Sequence, residues 1–474
     1  MTWDITRPVT EGPQLQNYLN TMDAAAPTTL FELQNDINLS TQLNIPAGVT
    51  VGFTSALDNQ FYLSGREQHR IMNITTSPAN TTAVYVGNII LKDGMTTDDG
   101  GAIYSQPIGA ANLNIGTGAV IDGNHATNGG AIAISRGCVS MSGGTIISNH
   151  ATGYGGGIYI GVPDMVPCNA VFYMTAGQID NNTALLGGGG LYAGTFGGMV
   201  RIYGGRFYKN YTAASGGGMY VANLTMIDGL VQGNIADVAG GGVFLMGTGT
   251  IDPSGAGGLI EFRENKAVVR GGGIAMNDNH SDVSLAIGDG VNMLGNTAGG
   301  TGATGGGGAI WVAHSKLANL TVAPLAIFSG NRAPTGYALR LPEDDAVYLA
   351  NIHATTWSSP FTQGYNNFDI SYIGRNPEPG CTTTGERMVD MCLPVEVKPF
   401  ANIGTITTRC CGPARITPGT NICEGIPDGN CNFTISQTLC VEVPVEFGAE
   451  VTPGEVHVGC TGNDCANCPQ QGEA

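Results

Sequence analysis

Three short stretches of the chain gather side chains able to do acid–base or metal chemistry. Asp98-Asp99, Asp278 with His280 and Asp282, and Glu343-Asp344-Asp345 each set carboxylates beside turn-forming residues. Clustered carboxylates could act as acid and base on a glycosidic bond, or hold calcium near an Arg or Lys. Each cluster also has a plainer reading, as solvated carboxylates of a loop. Sulfur offers a second chemistry. Ten of the twelve cysteines fall after residue 380: Cys381, Cys392, Cys410, Cys411, Cys423, Cys431, Cys440, Cys460, Cys465 and Cys468. Cys465-Ala-Asn-Cys468 is a single Cys-x-x-Cys, and Cys410-Cys411 is a vicinal pair. A zinc knuckle would ask for two such pairs, and a thioredoxin-like site for a βαβ setting that the flanking sequence lacks. Disulfides, some between subunits, are the expected use, with a connectivity that spacing does not give. Cys138 and Cys168 stand apart from this tail and read either as a disulfide between adjacent turns of chain or as two buried thiols.

What must position these groups is a repeat. An apolar residue, two variable residues and an Asn recur at Ile121-Asp-Gly-Asn124, Ile146-Ile-Ser-Asn149, Ile179-Asp-Asn-Asn182 and Phe207-Tyr-Lys-Asn210. They recur again at Val231-Gln-Gly-Asn234, Phe262-Arg-Glu-Asn265, Met293-Leu-Gly-Asn296 and Phe328-Ser-Gly-Asn331. Most are followed by a glycine run entering a short apolar strand, as in Gly155-Gly-Gly-Ile158 and Gly271-Gly-Gly-Ile274. A period of this length marks a solenoid or an array. No segment of it keeps apolar residues at helical spacing, and the units are too short for four-stranded propeller blades. The expected fold is all-β: a parallel β-helix, taken as a right-handed solenoid, in which one unit makes one turn about 4.8 Å from the next.

The repeated letters then have physical work to do. Asn tolerates the left-handed backbone of a sharp corner, and stacked Asn side chains can hydrogen-bond from turn to turn. Asn124, Asn149, Asn182, Asn210, Asn234, Asn265, Asn296 and Asn331 are therefore expected to form a structural ladder. The residue after each Asn varies freely (His125, His150, Thr183, Tyr211, Ile235, Lys266, Thr297, Arg332), as an outward side chain would. His125 and His150 share that position on successive turns, which suits a surface stack or a metal pair. Tyr104, Tyr159, Tyr192 and Tyr220 follow the glycine runs and form a candidate outward row. Gly305-Gly-Gly-Gly308 lacks the Lys-Ser/Thr of a phosphate loop, and no cofactor is expected.

The Phe-x-x-Asn units at Phe207, Phe262 and Phe328, with Gly100-Gly-Ala-Ile103, resemble those of polymorphic outer-membrane adhesins and related bacterial β-helix surface proteins. The resemblance covers about residues 90 to 340 and implies a fold more than a function. The ten-residue amphipathic strands of an autotransporter barrel do not follow it. A second stretch, Phe433-Thr-Ile-Ser-Gln-Thr-Leu-Cys440-Val-Glu-Val-Pro-Val-Glu-Phe447, resembles cysteine-rich tails of spore-surface proteins from anaerobic Gram-positive bacteria. Parallel β-helices also include pectate lyases and polygalacturonases, but the Asn-Thr-Asp, Gly-His-Gly and Arg-Ile-Lys motifs of polygalacturonases are absent.

Bulk composition narrows the partners. The net charge is −18, so nucleic acid, which needs a cationic footprint, is not an expected partner. No run of about 20 apolar residues is present to span a membrane. The start, Met1-Thr-Trp-Asp-Ile-Thr-Arg-Pro8, lacks the pattern of a secretory signal. Four segments are expected: a helical N-terminal cap over residues 1–27, built on Leu15, Tyr18, Leu19 and Met22; the β-helix over 28–374; a linker at 375–380; and a small cysteine-rich β module over 381–474. The expected role is structural or adhesive, on an extracellular, cell or spore surface. Its partners would be other copies of the chain, in a filament, coat or appendage, or a surface glycan or host receptor. A polysaccharide-cleaving or glycan-binding protein is the alternative.

Overall fold

A computed structural model of the chain describes residues 2–56, 59–161, 172–194, 198–253, 258–300, 305–334 and 369–371. It also describes the backbone of eight short strands between residues 389 and 460. The chain divides into two compact units, Met1–Glu378 and Pro379–Ala474.

The first unit is nearly all strand, and its strands pair in parallel one sequence period apart. Residues 199–221 show one turn: strand Met199–Tyr208, the corner Asn210, strand Tyr211–Thr212, three glycines, then strand Met219–Val221. These strands belong respectively to a nineteen-stranded, a seven-stranded and a ten-stranded sheet. The architecture is parallel β-helix-like. Register explains why the sequence repeats as it does. Ile121, Ile146, Ile179, Phe207, Val231, Phe262, Met293 and Phe328 pair successively in one column. Facing the same interior, Ile132, Ile158, Leu191, Met219, Val243, Ile274 and Ile310 form another. All of these side chains are buried in one continuous core. Burying one such side chain stabilises the fold by about 1.5–3 kcal/mol, so each turn is held by its own inward residues.

Two expectations need correction. The left-handed residue of the corner is not the Asn but the one before it: Gly123, Ser148, Asn181, Lys209, Gly233, Glu264, Gly295 and Gly330 have φ between +51° and +66°. The ladder Asn keeps an ordinary backbone and spends its side chain on hydrogen bonds instead. The second correction concerns the N-terminus. Strand Ile5–Val9 already pairs in parallel with Thr29–Leu33, so the stack begins inside the segment expected to be cap alone.

The helix Gly12–Asn20 follows that strand. Pro13 suits its first turn, where no intrahelical N–H partner is needed. Leu15 and Leu19 are fully buried, with Tyr18 and Met22 packed partly against the same core. Gln16 does something a strand would do. Its Oε1 accepts from the Asn44 amide at 2.8 Å, and its Nε2 donates to the Asn44 carbonyl at 3.1 Å. Asn44 is the middle residue of Leu43–Ile45, the edge strand of the ten-stranded sheet.

In the second unit four antiparallel pairs nest. Val389–Cys392 pairs with His457–Cys460, Phe400–Ile403 with Val445–Gly448, Thr407–Cys410 with Leu439–Glu442, and Arg415–Pro418 with Phe433–Ser436. The linker 375–380 lies outside the described residues.

Candidate functional site

The asparagines form an unbroken column, and its geometry is saturated. The Asn210 Oδ1 accepts from both the backbone N–H and the Nδ2 of Asn182, each at 3.0 Å. The Asn210 Nδ2 donates onward to Asn234 Oδ1 at 3.0 Å and back to the Ile179 carbonyl at 2.8 Å. Asn149, Asn182, Asn234, Asn265 and Asn296 repeat the pattern, and Asn124 repeats its donor half. At one end Gly94 takes the Asn position and donates its N–H to Asn124 Oδ1, and at the other Asn331 donates to Asp369 Oδ1. Two protons given and two lone pairs used exhaust what a primary amide offers. These amides hold the corner and have nothing left for a ligand.

The carboxylate clusters do not converge. Asp278 is tied to Arg270 at 3.1 Å, and Arg270 lies 4.0 Å over the Trp311 ring. Asp282 instead accepts from Ser281 Oγ, and its amide reaches His280 Nδ1. Glu343-Asp344-Asp345 lies outside the described residues. Asp98 has a more suggestive setting, in a cavity of about 640 Å³ lined also by Glu67, His69, Arg70, Gln42 and Met95. The cavity opens where the seven-stranded sheet begins, the turns before His125–Ala126 having no strand there. Arg70 is buried, and its guanidinium is committed to the Asp99 and Gly100 carbonyls and to Gln42 Oε1. Burial lowers the pKa of Arg70, with Asp98 opposing that shift. Elsewhere Asp180, also buried, meets Arg206 at 2.6 Å. Desolvation pushes its carboxyl above the ordinary range against the pull of Arg206. No group of three His, Cys, Asp or Glu suited to a metal occurs among the described residues.

His125 and His150 do meet, their rings 5.7 Å apart on adjacent strands of the seven-stranded sheet. His150 Nδ1 pairs with Thr183 Oγ1 on the next turn. Its pKa falls below the ordinary imidazole value, first through burial and then through His125. The unfolded chain therefore binds a proton at pH values where the folded imidazole refuses it. Stability from this site is present above the unfolded value and drains away as pH falls through the folded one. Thermal melts from neutral to mildly acidic pH should show a loss that His150→Gln removes.

The tyrosines share one outward column of the ten-stranded sheet, in the register Tyr104, Ala133, Tyr159, Tyr192, Tyr220. Ala133 breaks it after Tyr104, whose ring carries Arg70 instead. Beyond Tyr220 the column runs on through Phe244, Ala275 and Trp311, and Tyr154 joins it from the side. Sequence reading missed these, although Val243-Phe244 and Ile310-Trp311 occupy the same offset after their glycines. Tyr159 stacks on Tyr192 at 5.5 Å and 13°, and Tyr192 on Tyr220 at 5.0 Å and 26°. Rings turned face to face give a sugar little free surface to stack on.

Of the cysteines, Cys138 places its Sγ 3.4 Å from Asn112 Oδ1 on the preceding turn. Cys168, Cys381, Cys411, Cys423, Cys431, Cys465 and Cys468 lie outside the described residues. In register, Cys410 stands opposite Leu439, Cys440 opposite Arg409, Cys392 opposite His457 and Cys460 opposite Val389. Among the described residues no helix is long and apolar enough to cross a membrane. No family model matches the chain, nor does any curated protein or solved structure.

Proposed function

We propose that the chain is a non-enzymatic structural protein of a bacterial exterior surface, of the adhesin-like or spore-appendage kind. In this reading the first unit is a right-handed parallel β-helix, the handedness favoured for parallel crossovers. The helix Gly12–Asn20 caps its first turn, and residues 381–474 form a cysteine-rich β module that joins copies into a coat or filament. The observation that carries the proposal is the saturated asparagine column. A buried row of amides whose N–H groups are all donated, and whose oxygens from Asn149 to Asn331 each accept twice, adds rigidity and offers no chemistry. The motif likeness to bacterial surface proteins and the cysteine-dense tail point the same way, and Cys138 with Cys168 would staple adjacent turns.

The test is assembly. Purified full-length chain run on denaturing gels without reductant should give a ladder of multimers that collapses to one band with reductant. Micrographs should show the matching loss of filaments. A single monomer band under both conditions, with isolated particles in the micrographs, would sink the proposal.

A polysaccharide-cleaving or glycan-binding role finds its best support in the cavity holding Asp98, Glu67, His69 and Arg70. It predicts turnover or retention of an acidic glycan that Asp98→Asn abolishes. The structural reading predicts no change in either assay for Asp98→Asn, Asp278→Asn or Asp282→Asn.

A further inference from the structure

Among the described residues, tyrosine rings touch other tyrosine rings in two places. One is the pair Tyr173 and Tyr203, 5.1 Å apart. The other is a cluster in which Tyr192 meets three neighbours: Tyr154 at 4.6 Å, Tyr220 at 5.0 Å and Tyr159 at 5.5 Å. Other tyrosines have different company. Lys92 lies over Tyr62, Arg206 and Lys209 over Tyr208, and Trp3 packs against Tyr85. The cluster rings are each partly exposed, so a small oxidant can reach them. The strands that carry Tyr159, Tyr192 and Tyr220 are fixed in register on three successive turns, and Tyr154 bridges Gly187 beside them.

We infer that Tyr192 is the centre of an oxidative cross-linking site, where a one-electron oxidant couples it to Tyr154, Tyr159 or Tyr220 as dityrosine. Each phenol loses one electron to the oxidant and its hydroxyl proton to water, giving two tyrosyl radicals. The radicals join through a carbon ortho to each oxygen. The two ortho hydrogens then move to the oxygens, restoring both phenols. The balance is one new carbon–carbon bond for two electrons and two protons lost. The oxidant is a one-electron acceptor supplied from outside, such as a peroxidase with peroxide or a photoactivated metal complex with persulfate.

The geometry favours coupling within the chain. Rings already within contact distance meet faster than rings on separate molecules, because the encounter is unimolecular. Burial and the surrounding phenols push the Tyr192 pKa upward. The product would tie neighbouring turns together on the outer face, in addition to the buried amide column. This inference stands on the ring contacts alone and holds whether or not the exterior role does.

The experiment uses the full chain at low concentration, treated with a photoactivated ruthenium complex and persulfate. Dityrosine fluorescence and peptide mapping by mass are the readouts. The expected result is a monomeric product in which a Tyr192 peptide is joined to one of its neighbours, short of two hydrogen atoms. Tyr192→Phe keeps the stacked ring and loses the phenol, and should lower the mapped yield of cross-links within the cluster at least threefold, any Tyr173–Tyr203 product being counted apart. Tyr85→Phe should leave the yield unchanged. An equal cluster yield in Tyr192→Phe, an equal cluster yield from chain unfolded in urea, or cross-links only between molecules would each overturn the assignment.

Discussion

Replacing Asn210 with alanine is expected to destabilise the first unit by about 3–5 kcal/mol, read from the midpoint of denaturant unfolding. The size follows from what is orphaned. Asn182 loses the acceptor for both its backbone N–H and its Nδ2, and the Ile179 carbonyl loses a donor, all in a place water does not reach. Each buried donor left without a partner costs about 1–3 kcal/mol, and the missing side-chain volume adds a cavity. Asn331 provides the contrast. It lies near the end of the column and is 7% exposed, so Asn331→Ala should cost about half as much or less. Asn210→Asp replaces a donor with a charged acceptor facing Asn234 Oδ1, and should recover stability as pH falls and the acid protonates. Equal costs at Asn210 and Asn331 would mean that the column is not what holds the corners. Stability in a stack of turns is close to a sum of nearest-neighbour terms, so hydrogen exchange should quicken first beside the substituted turn.

The second large effect lies in the glycine corner. A Cβ on Gly189 would collide with the carbonyl oxygens of Gly217 and Tyr211, both on the following turn. Backbone of a neighbouring strand cannot swing aside without breaking its own ladder. Gly189→Ala should therefore cost about 4 kcal/mol or more, or prevent folding, placing it among the severe single substitutions. Gly233 is the control. It has φ +65°, and a Cβ there would come closest to the flexible Lys209 Cγ at 3.4 Å, with no other atom nearer than 3.9 Å. Its equivalents on other turns are Ser148, Lys209 and Glu264, so side chains are accepted at that position. Gly233→Ala should cost only the left-handed backbone, about 1–2 kcal/mol. Expression yield and thermal melts of the two variants distinguish a steric from a conformational requirement.

These two sites also show what a sequence can reveal. Corners that admit one residue type leave that type in the sequence, which is why Asn and the glycine runs recur visibly. The left-handed position before each Asn tolerates Gly, Ser, Asn, Lys and Glu, so it leaves no letter pattern and the recurring Asn beside it draws the expectation instead. The strand Ile5–Val9 hides for a related reason: as the first strand of the stack it has no earlier copy to repeat, and Arg7-Pro8 reads as irregular chain. The cavity around Arg70 was invisible because its walls come from three successive turns near Gln42, Arg70 and Asp98. No local spacing links those positions. The outward aromatic column is half legible, since its tyrosines recur as one letter while Phe244 and Trp311 continue them only in chemical kind.

Gln16 has a consequence for how copies could join. In a parallel sheet, alternate residues of an edge strand point their amide and carbonyl away from the sheet, and in Leu43–Ile45 that residue is Asn44. Both groups already have a partner in the Gln16 side chain. An incoming chain that tried to extend the ten-stranded sheet there would find the docking position taken by a side chain posing as backbone. Growth of that sheet from this edge is therefore blocked, and Gln16→Ala would free the Asn44 amide and carbonyl to accept a further strand.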